Sequence, residues 1–192
     1  MSKKILAFIV MGALAAGVAA YAADAPKADA PKADAPKNDY VGVSSKTCMC
    51  HFKEFKAWSA TPHARAFEVL QATTPEQLAK MNELLKTTVK DHPETDEACV
   101  GCHVTGYKMG GYPAADSLKN AALGRVTCEV CHGPAKNHLA VPASDKAGRK
   151  ASMLVPTVET CKKCHTEAIS PKFDFAVMSK KVHPVAVATP AK

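Results

Sequence analysis

From Thr61 to His183 the apolar positions recur at helical spacing, and the prospective helices open on prolines. Thr61-Pro62 reads as an N-cap followed by the first helical residue and predicts a helix to about Gln71. Thr74-Pro75-Glu76-Gln77 repeats that signal, with Gln77 placed to complete a capping box. Leu78, Met81, Leu84 and Leu85 then fall on one face, the ordinary pattern of a helix that packs. Ser170-Pro171 predicts a last helix that presents His183 near its C-terminal end, and Lys108-Met109-Gly110-Gly111-Tyr112 predicts a turn. No alternating pattern persists beyond a few residues. The expected fold class is mainly α, with long loops.

The N-terminal patterns are of another kind. Lys3 and Lys4 precede an uncharged apolar run, Ile5 to Val18, and Ala20-Tyr21-Ala22 supplies small residues before a cleavage point at Ala23. Residues 1–22 are expected to be a signal peptide, with the run too short for comfortable membrane insertion. Residues 23–39 are expected to be a tether, since ADAPK three times over offers little apolar area and frequent prolines. Residues 40–192 are long enough for one domain. Their only Phe and Trp residues are Phe52, Phe55, Trp58, Phe67, Phe173 and Phe175, too few for an ordinary aromatic core.

Charge changes the picture less than cysteine does. The net charge is +7, or +5 once Lys3 and Lys4 are removed, but no basic run is interleaved with aromatics, and an exported chain does not meet nucleic acid. The eight cysteines form four close pairs, Cys48/Cys50, Cys99/Cys102, Cys128/Cys131 and Cys161/Cys164. Disulfides within such pairs would close tiny loops and stabilise little. A zinc ribbon does not require histidine straight after each pair, yet His51, His103, His132 and His165 stand there. Cys-x-x-Cys-His is the attachment motif of c-type haem: two thiols add to the haem vinyl groups, and the imidazole reaches the iron from the same short turn. Four further histidines, His63, His92, His138 and His183, equal the motif histidines in number, which points to four bis-histidine irons. The propionates of four haems would also reverse the positive balance.

Four stretches, YVGVSSKTCMCHFKEFKAWSATPHARAFEVL, CVGCHVTGYKMGGY, VTCEVCHGPAKNH and CKKCHTEAISPKFDFAVMSKKVHP, resemble the tetrahaem cytochrome c-554 family over residues 40–184. The resemblance implies a small multihaem cytochrome c domain with a haem-filled core and four covalently bound haem c groups. It places Cys48-Met49-Cys50-His51 at the family's first haem motif. Cysteines two apart in a helix point about 200° away from each other, so Cys48 and Cys50 cannot both reach vinyl groups from a regular turn. The expectation is a haem held by a single thioether through Cys50; the alternative is a vestigial pair without haem. The resemblance further implies that His138 is the distal ligand of the haem on His51, His63 of that on His132, and His183 of that on His165. In the best-known members the second haem, here on His103, has no distal protein ligand. This chain departs from that pattern by carrying His92 just upstream, which is taken as its distal ligand against the alternative of a solvated loop residue; Met109 is a weaker candidate.

The function expected from saturated irons is electron transfer between redox protein partners in the periplasm or outside the cell. The resemblance implies a larger redox enzyme, such as hydroxylamine oxidoreductase, as donor. An enzyme, such as a small nitric oxide reductase working at an open haem on His103, is the alternative and requires His92 not to bind that iron. A homo-oligomer or conductive filament is a third class.

Overall fold

The computed structural model describes residues 39–44, 47 and 49–183; the signal-peptide and tether expectations, and Cys48, lie outside them. No strand forms among the described residues, and no helix there is long and apolar enough to cross a membrane. Ten α-helices follow one another: α1 (Phe52–Ser59), α2 (Ala66–Gln71), α3 (Pro75–Leu85), α4 (Glu97–His103), α5 (Ser117–Leu123), α6 (Cys128–His132), α7 (Lys136–Ala140), α8 (Lys146–Ala151), α9 (Val158–Lys162) and α10 (Phe175–Val182). Only α3 exceeds eight residues. Helices this short do not persist alone in water, so packing and ligation must hold them.

Local chemistry starts most of them. Thr74 and Gln77 form the expected capping box at α3, and of its apolar stripe Leu78 is buried while Leu84 is exposed. Asp96 caps α4, Asp116 caps α5, Thr127 caps α6, Asp145 caps α8 and Asp174 caps α10, each side chain accepting a backbone N–H that the first turn leaves unpaired. Two proline expectations need correction. Thr61-Pro62 opens a 3-10 turn, Pro62–Arg65, and α2 begins only at Ala66. The Thr61 hydroxyl donates to the Trp58 carbonyl at 2.7 Å rather than capping forward. Ser170-Pro171 does not start the last helix either; the Ser170 hydroxyl is engaged by His165 at 3.1 Å, and Asp174 does the capping. The turn expected over Lys108–Tyr112 is present but starts earlier, at Gly106, whose carbonyl accepts the N–H groups of both Met109 and Gly111.

The chain's own apolar core is small. Leu70, Val100 and Val104 are buried together where α2 packs on α4, with Phe67, Cys99, Tyr107 and Tyr112 against them. Beside it lies a buried polar knot. The Thr105 hydroxyl donates to the Arg125 carbonyl at 2.6 Å and meets the Thr127 hydroxyl at 3.0 Å, which joins the end of α4 to the start of α6. Trp58, buried, donates its indole N–H to the Val126 carbonyl at 2.9 Å, and the Val126 N–H donates to the His63 carbonyl at 3.1 Å. The segment from α1 to His63 is thereby stitched to the approach of α6.

Candidate metal centre

The three Cys-x-x-Cys-His stretches and the described part of the Cys48-Met49-Cys50-His51 stretch each occupy a short helical turn. The first, at Met49–His51, is a 3-10 turn; the second ends α4; the third is the whole of α6; the fourth runs from α9 through a turn to His165. Thr47, which stands where a first motif cysteine would, donates its hydroxyl to the Gly42 carbonyl at 2.8 Å and accepts from the Ser44 N–H at 2.9 Å. Cys50, Cys99, Cys102, Cys131, Cys161 and Cys164 form no disulfide, and Cys128 begins α6. Three motifs converge: the Cys102 and Cys164 thiols share a hydrogen bond that pulls Cys102 down to about 7 and pushes Cys164 up, with Cys131 and Cys161 near enough to add to the rise at Cys164. Burial pushes the Cys131 thiol up to about 11.

The histidines come in facing pairs. Ring centres lie 6.2 Å apart for His51 and His138, 6.0 Å for His63 and His165, and 6.1 Å for His132 and His183. That is too far for stacking. A metal–nitrogen bond of about 2 Å and a nitrogen-to-centre distance of about 1 Å on each side give roughly the same span. Three pairs at one-ion spacing, each with a motif histidine as one member, therefore fit an axially ligated haem iron.

Hydrogen bonds fix the ring edges. His103 Nδ1 donates to the Ala66 carbonyl at 2.6 Å, His132 Nδ1 to the Leu154 carbonyl at 2.9 Å, and His138 Nδ1 to the Arg149 carbonyl at 3.0 Å. His165 Nδ1 meets the Ser170 hydroxyl at 3.1 Å. Holding Nδ1 leaves Nε2 as the ligating nitrogen and sets the ring's orientation. Burial also favours the neutral imidazole that a metal requires. It lowers the pKa of His63, with His165 and His103 adding to the effect; it lowers His132, with His183 and His51 adding; and it lowers His165.

The facing rings differ from the pairings that the resemblance implies. His63 faces His165 rather than His132, and His183 faces His132 rather than His165. His63 is placed by a tertiary contact that spacing does not encode, the Val126 N–H donating to its carbonyl. His92 does not face His103. It sits at positive φ (53°) with its side chain 73% exposed, and its Nδ1 pairs with Glu94 at 3.0 Å. The Glu94 hydrogen bond, followed by the charges of Glu94 and Asp91, raises its pKa, which favours the cation over the neutral ligand form. Met109 is exposed on its turn.

The sequence reading missed Glu129, between the cysteines of the third motif. It is buried, and its carboxylate accepts the backbone N–H groups of Val41 (3.0 Å), Gly42 (2.8 Å) and Ala135 (2.8 Å). Gly42 makes this approach possible. Its φ is +72°, and a Cβ there would lie 2.7 Å from the Ala122 Cβ. Glu129 thus clamps the segment before the first motif onto the third. Glu129→Ala strands three N–H groups, and we expect a loss on the order of 3 kcal/mol. Thermal unfolding of the cofactor-loaded protein measures it; an unchanged midpoint would refute the clamp.

The profile of the family described as cytochrome c554 and c-prime matches residues 46–133. Cytochrome c-554 of Nitrosomonas europaea is 34% identical over 110 residues, covering 55% of this chain and 45% of that protein, so the match spans under half of that relative's length. The structure of reduced cytochrome c554 from Nitrosomonas europaea superposes with a TM-score of 0.54 at 27% identity, over 79% of this chain and 85% of that one. With the motif turns and the facing imidazoles already in place, these likenesses show a mainly α, multihaem c-type cytochrome domain that is similar to cytochrome c-554.

Proposed function

We propose that this chain is an exported cytochrome that carries four covalently attached haem groups and passes electrons between redox protein partners. The observation that carries the reading is the set of three imidazole pairs at one-ion spacing. Haem supplies a one-electron iron couple, and an iron between two facing imidazoles would have no position left for substrate. The chain's own residues contribute position and environment. Cys50, Cys99, Cys102, Cys128, Cys131, Cys161 and Cys164 are the described attachment thiols; Cys48 belongs to the same proposal. The Nδ1 partners of His103, His132, His138 and His165 keep those four rings oriented through both oxidation states, so little rearranges there when an electron moves.

The test is intact mass together with a coulometric titration. A polypeptide beginning at Ala23 with four haem increments, taking up four electrons, supports the proposal. Three increments, with Cys50 open to alkylation, would sink the reading of the first motif as a haem site.

One observation favours a second reading. Among the described residues no imidazole faces His103, since His92 is held by Glu94 and His63 faces His165. A haem on His103 would then keep an exchangeable position, as reduction of a small nitrogen oxide requires. Turnover of nitric oxide by the reduced protein separates this reading from simple electron carriage.

A further inference from the structure

A cavity of about 250 Å³ lies between α1 and the approach to α6, outside the facing imidazoles; Phe55 and Trp58 form its apolar wall. Arg125 and Arg65 both line it, with Glu68 as the acidic member. Arg65 and Glu68 are exposed and belong to the mouth, whereas Arg125 Nε is buried and has no hydrogen-bond partner. The ion pairs among the described residues involve no arginine, so Glu68 neutralises neither guanidinium. A buried guanidinium donor left unmade costs free energy that a second copy of water-exposed charge does not recover. The position of Arg125 is also not free to relax outward. Its carbonyl accepts from the buried Thr105 hydroxyl at 2.6 Å, and the next residue, Val126, is bonded on both sides to Trp58 and His63.

We propose that this cavity is a binding site for a carboxylate or small oxyanion, with Arg125 as the inner donor and Arg65 as the cation at the mouth. A guanidinium presents several N–H groups in one plane, which suits the paired oxygens of such an anion and is worth more where water is excluded. Two sources share that chemistry: the propionate arm of a haem attached nearby, and a free oxyanion from solvent. The first source rests on the haem reading; the second does not. If a propionate occupies the site, Arg125 lowers the negative charge felt by that haem and holds its reduction potential up. If a free oxyanion occupies it, the site adds a ligand-sensitive charge beside Trp58 and His63.

The experiment compares the haem-loaded wild type with Arg125→Gln and Arg125→Lys, haem content being checked by intact mass in each. Spectroelectrochemistry without added anion is followed by calorimetric titration with sodium nitrite and with inorganic phosphate. For a propionate, Arg125→Gln should change the reduced-to-oxidised ratio of one haem about tenfold at fixed applied potential, toward the oxidised form, and neither anion should bind the wild type there. For a free oxyanion, nitrite or phosphate should bind the wild type, Arg125→Gln should lose about tenfold in affinity, and the potentials without anion should stay put. In either case Arg125→Lys should recover part of the effect, because it restores charge without the paired N–H geometry. Should Arg125→Gln fail to mature, Arg65→Gln at the exposed mouth gives the same two readouts at smaller size. Unchanged potentials together with no anion binding would overturn the proposal. A haem-free mass would instead overturn the cofactor reading, while the anion titration would still test the cavity.

Discussion

His63→Ala turns the haem attached at His165 from low-spin to high-spin and leaves the haem at His132 low-spin. The basis is the 6.0 Å separation of the His63 and His165 ring centres, which allows one iron between them. His183→Ala has the complementary effect at His132, whose ring centre lies 6.1 Å from that of His183. The two pairings can be told apart without guessing which haem gave which signal. His165 Nδ1 is held by the Ser170 hydroxyl, whereas His132 Nδ1 is held by the Leu154 carbonyl. In ferrous His63→Ala the five-coordinate haem reports its remaining iron–histidine bond by resonance Raman. Adding Ser170→Ala should shift that band, because the hydrogen bond at Nδ1 sets how basic the ligating nitrogen is. If the band ignores Ser170→Ala, the iron facing His63 is not on His165, and the pairing expected from the family resemblance returns.

That pairing shows where the sequence stops informing. The attachment turns were legible because their chemistry is local: two thiols and an imidazole must emerge from one turn, so their spacing is in the chain itself. The capping box at Thr74 and Gln77 was legible for the same reason. Proline was a weaker guide. Pro62 gave a 3-10 turn because the preceding hydroxyl turns back to Trp58, and Pro171 gave no helix because Ser170 serves His165. Which distal histidine meets which motif depends on contacts between distant segments, above all the bond from Val126 to the His63 carbonyl, and no periodicity records those. Glu129 escaped for a related reason. A variable position inside an attachment motif carries no pattern, and its role appears only when Val41, Gly42 and Ala135 are seen to donate to it. The equality of four motif and four spare histidines is a count alone; it assigns His92 a partner that the structure does not place opposite it, since its Nδ1 pairs with Glu94.

Ferric protein purified without alteration should therefore contain a high-spin haem, one per chain, and His92→Ala should leave its spectrum unchanged. The His92 ring is mostly in solvent, its backbone sits at positive φ, and its pairing with Glu94 at 3.0 Å raises its pKa, which works against the neutral form that a metal requires. Bringing it to His103 would require drawing the ring out of solvent and away from Glu94. His103 itself is ready to ligate, its Nδ1 tied to the Ala66 carbonyl at 2.6 Å on a helix packed against α2. His63 lies close enough to influence His103, but it faces His165. Electron paramagnetic resonance at several protein concentrations checks the prediction. A high-spin signal that falls as the protein is concentrated would mean that a neighbouring chain supplies the ligand. A wholly low-spin spectrum at every concentration, becoming high-spin in His92→Ala, would mean that binding of the haem pulls His92 out of its pair with Glu94, and the open-site reading would fall. If the high-spin haem is present in both proteins, cyanide or nitric oxide should bind at one site per chain with the same affinity in each, and the remaining haems should keep their low-spin spectra because their imidazole pairs close both faces.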